Sequence, residues 1–322
     1  MKRRDFLASA VAAPLVFVRR ANAQSEQAKL ARMAIMSLTF GPILKNANSP
    51  DGPARTLDLM DLGQMYADRF GIHNVELQHS YLPSTEEAWL KDFRGRLAKT
   101  KSQVSNINCE FGMMTMSAES AVNRLQAIDL TKQWVNHAAT LGCPRIMLNQ
   151  GMLTEQSKDI AIATLRTMGA YGKSKGVKVS LEPRGGGGGR RGATPTGTTG
   201  TTGTTGTTGT TGTTGTTGTP AAPPYLLLTE VIKASGTYAN VDLANYGDQA
   251  DQHAGLRAMM PYTVGNTHMR LVPARYDLSL ALKILRDEFK YQGLYLVEQG
   301  IPAGPDPYTS IQEVRDYVLA HM

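Results

Sequence analysis

Residues 177–182 read VKVSLE, a pattern typical of a β-strand that ends in a polar residue. Alternate side chains of a strand point to opposite faces. The two valines and Leu181 therefore share one face, which suits packing against outer helices. Ser180 and Glu182 share the other face with Lys178, and this face would line the inside of a barrel. The stretch predicts a strand that places Glu182 at its carboxyl end.

Three later stretches end in the same way. YANVD at 238–242 ends in Asp242, VGNTHM at 264–269 contains His268, and GLYLVE at 293–298 ends in Glu298. In a parallel barrel the carboxyl ends of all strands open onto one face, where active sites lie. Four residues that can bind a metal would converge there, so the sequence predicts a metalloenzyme.

The whole chain alternates between short apolar runs and amphipathic stretches. The apolar runs lie at 33–39, 73–78, 103–109, 144–149, 177–182, 238–242, 264–269 and 293–298. The amphipathic stretches include 56–70, 84–101, 118–141, 155–175, 225–235, 277–289 and 308–320. Eight strands that alternate with helices indicate an α/β fold, a (βα)8 TIM barrel over 30–322. An open, doubly wound sheet is the alternative, but eight alternating units fit closure better.

Two helix starts carry recognisable capping patterns. Ser84 is followed three residues later by Glu87, the pattern of a capping box. Asp277 is placed to cap the helix that begins after it. Both patterns predict where a helix begins.

One segment, 185–224, interrupts the alternation. It contains five consecutive glycines and seven TTG triplets over 198–218. It has no apolar periodicity with which to bury itself, so we expect a flexible, low-complexity insert after the fifth strand. A phosphate-binding loop would need different spacing and a lysine, and a glycosylated or adhesive tract is the other alternative. Without the insert, about 250 residues remain, the usual size of one barrel.

The N-terminus, 1–23, has the features of an export signal. Arg3 and Arg4 are followed by Phe6-Leu7, which resembles a twin-arginine signal; an apolar run then leads to the small-residue site Ala21-Asn22-Ala23. The apolar run is too short to span a bilayer as a helix. We therefore expect export by the twin-arginine machinery, cleavage after Ala23 and a periplasmic mature protein without a membrane span. An uncleaved anchor is the alternative.

Charge and cysteine content exclude several classes of protein. The net charge of +7 falls to +3 without residues 1–23, because these hold five of the 34 basic and one of the 27 acidic residues. No basic face for nucleic acid is indicated. Cys109 and Cys143 fall at opposite ends of the predicted barrel and have no CxxC partner, so neither a disulfide nor a thiolate metal site is expected. The sequence does not fix the oligomeric state, and an oligomer is compatible with it.

The order Glu, Asp, His, Glu on strands five to eight resembles the xylose isomerase-like TIM barrels, which include sugar-phosphate isomerase/epimerases, tagatose 3-epimerase-like enzymes and hydroxypyruvate isomerases. Asp242-Leu-Ala-Asn245 is similar to the segment that follows strand six in this family. His268-Met-Arg270 is similar to its H-x-K segment. The chain departs from the family in having Asn245 where the ketose epimerases tend to have His, and Arg270 where many members have Lys.

The resemblance implies roles for individual residues. It implies that Glu182 and Glu298 serve both as metal ligands and as the catalytic acid/base pair, with Asp242 and His268 completing the metal site. Arg275 resembles an arginine that contacts substrate in the epimerases. The candidates for contacting substrate are Arg184, Asn245, Arg270, Arg275 and His79. Glu76, on the second strand, has no assigned counterpart.

Three carboxylates and one imidazole suit one divalent ion: Mn²⁺, Mg²⁺, Co²⁺ or Zn²⁺. Such an ion stabilises the enediolate that forms when a proton α to a carbonyl leaves. We therefore expect an isomerase or epimerase of a small carbohydrate, and export favours a free or oxidised sugar over a phosphorylated one. A lyase or hydrolase of 3-keto-glycosides and a non-catalytic sugar-binding barrel remain alternatives. An abasic-site endonuclease of this fold would need more histidines than the six present.

Overall fold

The computed structural model describes residues 25–45, 55–149, 151, 153–183, 223–300 and 306–322. The expected signal peptide, Arg184 and all of the insert 185–224 except its last two residues lie outside the described residues. Those last two, Pro223 and Pro224, correct the insert's boundary, because a helix begins at Pro224 with Pro223 as its N-cap residue. Proline fits this first position, where no N–H is needed and its fixed φ suits the helix.

Eight strands, numbered here in chain order, form the centre of the fold. They are β1 Met33–Met36, β2 Asn74–Gln78, β3 Gln103–Cys109, β4 Arg145–Asn149, β5 Lys178–Glu182, β6 Tyr238–Asp242, β7 Thr263–Met269 and β8 Leu294–Val297. All neighbours pair in parallel, and β1 pairs with both β2 and β8, which closes the barrel. Outside it, Leu44–Lys45 and Leu57–Asp58 form a small parallel pair.

A helix follows each strand. The helices are α1 Leu62–Phe70, α2 Glu87–Lys99, α3 Ala121–Leu141, α4 Lys158–Ser174, α5 Pro224–Ser235, α6 Gln249–Met259, α7 Leu278–Lys283 and α8 Pro307–His321. A π-helical turn, Ile284–Glu288, continues α7. The prediction of a (βα)8 barrel is confirmed. The stretches quoted from the sequence did not include α6.

The strands bury their two faces in different surroundings. The outward face joins the helices in the main apolar core, which includes Val179 and Leu181 of β5, Val177 directly before it, and Ala239 and Val241 of β6. The inward face carries a smaller apolar cluster of Ala34, Met36 and Leu296 at β1 and β8. Most of the other buried inward positions are polar. The parity predicted for β5 and β6 is therefore confirmed.

The helix ends agree only in part with the predicted caps. Asp277 caps α7, because its carboxylate accepts hydrogen bonds from the backbone N–H and hydroxyl of Ser279. Ser84 does not cap α2: the N-cap residue is Glu86, and the Ser84 hydroxyl accepts from the Glu86 N–H in the turn before the helix. The capping-box interpretation was wrong because the helix begins later than the pattern suggested.

Both cysteines are buried and free. Burial raises the pKa of the Cys143 thiol to about 12, so at neutral pH it is protonated and a poor metal ligand. Among the described helices, none is long and apolar enough to cross a membrane.

Candidate metal centre and active site

Four residues at the carboxyl ends of β5 to β8 converge at one point. Glu182 and Asp242 are the last residues of their strands, His268 is the penultimate residue of β7, and Glu298 follows β8 directly. The register aligns them, since Asp242 pairs with His268 across β6 and β7. One ligand atom from each of the four lies within 4.8 Å of the others. The structure thus brings together all four residues that the sequence predicted as metal ligands.

The imidazole of His268 lies at the centre of this group. Its Nδ1 lies 2.8 Å from Glu182 Oε1 and 3.1 Å from Glu298 Oε2. Its Nε2, on the other side of the ring, lies 2.9 Å from Oε1 of Glu76. His268 and Glu76 are almost completely buried. One imidazole therefore has carboxylates on both of its nitrogens, and two of these carboxylates share Nδ1.

Arg270 contacts the acidic side of the cluster. Its Nη2 donates to Asp242 Oδ2 at 2.7 Å and to Asn245 Oδ1 at 2.5 Å, and Nη1 lies 3.9 Å from Glu298 Oε1. The Ala244 N–H donates to the other Asp242 oxygen at 2.6 Å. Arg270 and Asn245, both predicted to contact substrate, thus lie at the cluster: Arg270 contacts the ligand candidate Asp242, and Asn245 accepts a hydrogen bond from Arg270.

Burial governs the electrostatics of these groups. It raises the pKa of Glu182 to about 7, although the hydrogen bond with His268 opposes the rise. Burial also raises the pKa of Asp242, against the lowering effect of Arg270. For His268, burial alone would lower the pKa, but Glu76, Glu182 and Glu298 outweigh it and raise the pKa well above its ordinary value. Proton and metal would therefore compete for the same atoms.

These residues fit a divalent ion. Oxygen and imidazole donors are the set that Mn²⁺, Mg²⁺, Co²⁺ and Zn²⁺ accept. Three carboxylates, of which two are buried and Glu298 is half-buried, also need positive charge nearby, because a buried anion is costly without a partner. Arg270 is a permanently charged side chain paired with two of them, Asp242 and Glu298. A bound ion held by Glu182, Asp242, His268 and Glu298 would balance the remaining charge.

Of the other residues predicted to contact substrate, Arg184 lies outside the described residues, and Arg275 and His79 have contacts with residues other than the four ligand candidates. The guanidinium of Arg275 donates to the Gly247 carbonyl and lies over the Tyr276 ring. His79 accepts a hydrogen bond from the Glu110 N–H and packs edge-on against Phe111 and Trp134. Its surroundings are aromatic, and burial lowers its pKa.

Sequence reasoning gave no role to Glu76, and it missed the amides around it. Glu76 Oε2 accepts hydrogen bonds from Asn106 at 2.9 Å and from Asn266 at 3.1 Å, and Asn266 also donates to Asn240. All four side chains are fully buried inside the barrel. Strand parity is the signal that could have found them, since Asn240 and Asn266 lie two residues before Asp242 and His268.

Comparison with known proteins agrees with this architecture. The model of the family described as "Xylose isomerase-like TIM barrel" matches residues 65–197. No curated protein matches the chain significantly. Among solved structures, the chain is similar to the 3-keto-D-glucoside 4-epimerase of E. coli, with 12% identity, a TM-score of 0.59, and coverage of 90% of this chain and 98% of the other.

Two further structures have the same fold. D-psicose 3-epimerase from Clostridium cellulolyticum H10, solved with D-tagatose, is 12% identical, with a TM-score of 0.60 and coverage of 87% of this chain and 89% of the other. The probable 3-DHS dehydratase of Bacillus anthracis is 9% identical, with a TM-score of 0.56 and coverage of 89% and 98%. At these identities the likeness establishes the fold. The chain thus resembles the xylose isomerase-like TIM barrels in sequence over residues 65–197 and has their fold along most of its length.

Proposed function

We propose that this protein is a metal-dependent isomerase or epimerase of a small carbohydrate that removes a proton α to a carbonyl. The observation that carries the proposal is the convergence of Glu182 and Glu298 on the same nitrogen of His268, with Asp242 beside them, at the carboxyl mouth of the barrel. Active sites of this fold lie at that mouth. Two glutamates next to a metal site supply both a base and an acid.

Each residue then has a task in the reaction. A divalent ion held by the four ligand candidates would withdraw charge from the substrate carbonyl. One glutamate of the pair Glu182 and Glu298 removes the α-proton, and the other returns a proton to the opposite face or to the neighbouring carbon. Arg270 holds Asp242 in position through a hydrogen bond from Nη2, and its charge lies near Glu298, 3.9 Å from Nη1. The burial of the group excludes bulk water from the carbon acid.

The similar structures favour an unphosphorylated carbohydrate. One is named as a D-psicose 3-epimerase solved with D-tagatose, and another as a 3-keto-D-glucoside 4-epimerase. Both names describe sugars with a carbonyl and without phosphate. We therefore place a free ketose or a keto-glycoside first among candidate substrates for this chain.

A lyase is the second candidate. The similarity to a probable 3-DHS dehydratase favours it, because that protein has the same fold and a dehydratase catalyses an elimination. Removal of an α-proton followed by loss of a β-substituent needs the same base and the same ion. A lyase or hydrolase of 3-keto-glycosides would release the aglycone, whereas an epimerase would keep every bond to carbon except one C–H. A non-catalytic sugar-binding barrel would do neither.

The test is metal analysis of the purified protein, followed by incubation with ketoses and keto-glycosides in D₂O. The proposal expects about one divalent ion per chain and deuterium at the carbon α to the carbonyl of one substrate class. Release of an aglycone together with exchange would select the lyase. A metal-loaded protein that binds a sugar without exchanging any proton would contradict the enzyme and favour a binding barrel.

We also propose that the protein is exported by the twin-arginine route. The proposal rests on the sequence alone: Arg3-Arg4 with Phe6-Leu7, the apolar run that follows, and the predicted cleavage site after Ala23. Changing both arginines to lysine should leave the uncleaved precursor in the cytoplasm, as fractionation and mass measurement would detect. A mature periplasmic product from that variant would indicate another export route.

A further inference from the structure

A carboxylate outside the predicted ligand set lies against the far side of His268. Glu76, in the middle of β2, is completely buried, and its Oε1 lies 2.9 Å from His268 Nε2. Within the described residues, neither atom has a hydrogen-bond partner elsewhere. A buried polar atom left without a partner costs about 1–3 kcal/mol. The two atoms therefore satisfy each other or remain unsatisfied.

The position of Glu76 is fixed by the barrel interior. Its second oxygen, Oε2, accepts from the amides of Asn106 on β3 and Asn266 on β7. Glu76 and Asn106 are direct neighbours in the strand register. Two donors on Oε2 leave Oε1 to face the imidazole. Side chains from β3 and β7 thus hold the carboxylate, and neither of them is one of the four ligand candidates.

We propose that Glu76 is the positioning residue that selects the metal-binding nitrogen of His268. In neutral imidazole one nitrogen donates a hydrogen bond and the other offers a lone pair. If Glu76 Oε1 accepts from Nε2–H, then Nδ1 carries the lone pair, on the side where Glu182 and Glu298 lie. Histidine ligands commonly donate their second N–H to a carboxylate, which fixes the ring and strengthens the ligand. The inference rests on the metal site of the proposed function, but not on its substrate or reaction.

Packing alone does not account for Glu76. An apolar side chain would fill the same space without burying a charge. Gln78, the next inward residue of β2, accepts a hydrogen bond from Asn108 instead. Asn74, the preceding inward residue, donates to the carbonyls of Ala31 and Met33. Glu76 is therefore the residue of β2 whose polar group faces the histidine.

The experiment compares Glu76→Leu, Glu76→Gln and the control Asn74→Leu with the wild type. Leu removes the acceptor at similar volume. Gln keeps the length and an acceptor oxygen, and the Oδ1 atoms of Asn106 and Asn266, which have no partner in the described residues, can accept from its new amide. The control removes a buried polar group from the same strand without touching His268. The readouts are Mn²⁺ affinity by calorimetry and long-range ¹H–¹⁵N spectra of the Zn²⁺-loaded protein.

We expect Glu76→Leu to lower Mn²⁺ affinity roughly 10- to 100-fold. Glu76→Gln should lose clearly less Mn²⁺ affinity than Glu76→Leu. The control Asn74→Leu should be less stable than the wild type but should bind Mn²⁺ with wild-type affinity. In the wild-type spectra, the proton of His268 should be on Nε2. Three results would overturn the inference: equal losses of Mn²⁺ affinity in Glu76→Leu and Glu76→Gln, unchanged affinity in Glu76→Leu, or a proton of His268 on Nδ1. The wild-type spectrum decides the question even if Glu76→Leu fails to fold. Failure of the wild type to bind Mn²⁺ or Zn²⁺ would instead overturn the metal site of the proposed function.

Discussion

At the scale of single residues, the site is organised around His268. Its Nδ1 meets two glutamates, and its Nε2 meets a third. A histidine in such surroundings holds a proton tightly, so a metal ion must displace that proton to bind Nδ1. The same contacts place the ring rigidly, which is what a metal ligand requires. The histidine is therefore the residue whose loss should harm metal binding most directly.

We predict that His268→Ala loses most of its bound metal after purification in Mn²⁺-containing buffer. The reason is that the variant removes the only nitrogen ligand from the group of four. The matched control is His253→Ala, because His253 lies on α6, where its Nε2 contacts Gln249. Metal content measured by atomic spectrometry should be normal in the control. Full metal content in His268→Ala would show that the assignment of the site is wrong.

A second prediction concerns the buried ion pair of Arg270 and Asp242. Arg270→Met should destabilise the metal-free protein by about 3–5 kcal/mol, because Asp242 would remain buried without its cation. Added Mn²⁺ should restore part of the loss, since an ion beside Asp242 replaces the missing charge. Urea unfolding with and without Mn²⁺ measures both effects.

The control for this prediction is an exposed pair of the same type. Arg257 binds both oxygens of Glu288 at the surface, and Arg257→Met should cost less than about 1 kcal/mol. Mn²⁺ should not alter that cost. Similar losses in the two variants would mean that the Arg270 pair contributes no more than a surface pair.

At the scale of elements, the strand ends were predictable and the contacts between distant strands were not. A strand's inward face follows from alternation, so Glu182 and Asp242 could be placed from the local pattern. Glu76 obeys the same alternation, but its partners come from β3 and β7, 30 and 190 residues away in sequence. No local pattern reveals which inward residues meet across a barrel. The four ligand candidates could be found because they share one level, at the strand ends.

Helix starts were predictable only where the cap is an immediate neighbour of the helix. Asp277 was placed correctly because its carboxylate accepts from Ser279, two residues on. Ser84 has the same kind of local contact, with Glu86, yet α2 begins only at Glu87. A side chain that can accept from a nearby N–H marks a turn as readily as a helix start. Tertiary packing decides between the two.

The Gly/Thr-rich insert lies in the connection from β5 to α5. β5 ends at Glu182 and α5 begins at Pro224, so the Gly/Thr segment follows a ligand candidate directly. Replacing 186–222 with a short Gly/Ser linker should leave the melting temperature within a few degrees, because the segment has no apolar side chain larger than alanine or proline to bury in a core. Circular dichroism on heating measures this.

The control for the insert is metal content in the same linker variant. A shortened connection that still lets β5 and α5 pack should leave Glu182 in place and the metal bound. A large fall in melting temperature, or aggregation, would mean that the segment packs against the barrel. An intact melting temperature with lost metal would mean that the segment helps to hold the mouth of the site.

At the scale of the whole molecule, the barrel follows from eight repeats of a strand and a helix. Its closure brings the carboxyl ends of the strands, and with them the four ligand candidates, to one face. The sequence was sufficient for the number of strands, their order and the convergence of four ligand candidates. It did not reveal the contacts that Arg275 and His79 make, because these depend on loops that do not repeat. Loops carry the differences in substrate among proteins of one fold. The proposed class of chemistry therefore rests on the strand ends, whereas we expect the loops to select the sugar.

The central claim is that Glu298, together with Glu182, transfers a proton at the carbon α to a carbonyl. It is tested most directly by deuterium exchange into the substrate in D₂O, comparing Glu298→Gln with the wild type at equal metal content. Gln keeps a ligating oxygen but removes the basicity, so the variant should bind metal yet exchange roughly 10²-fold more slowly or worse. Exchange at the wild-type rate in metal-loaded Glu298→Gln, or wild-type turnover without any α-deuterium, would contradict the account.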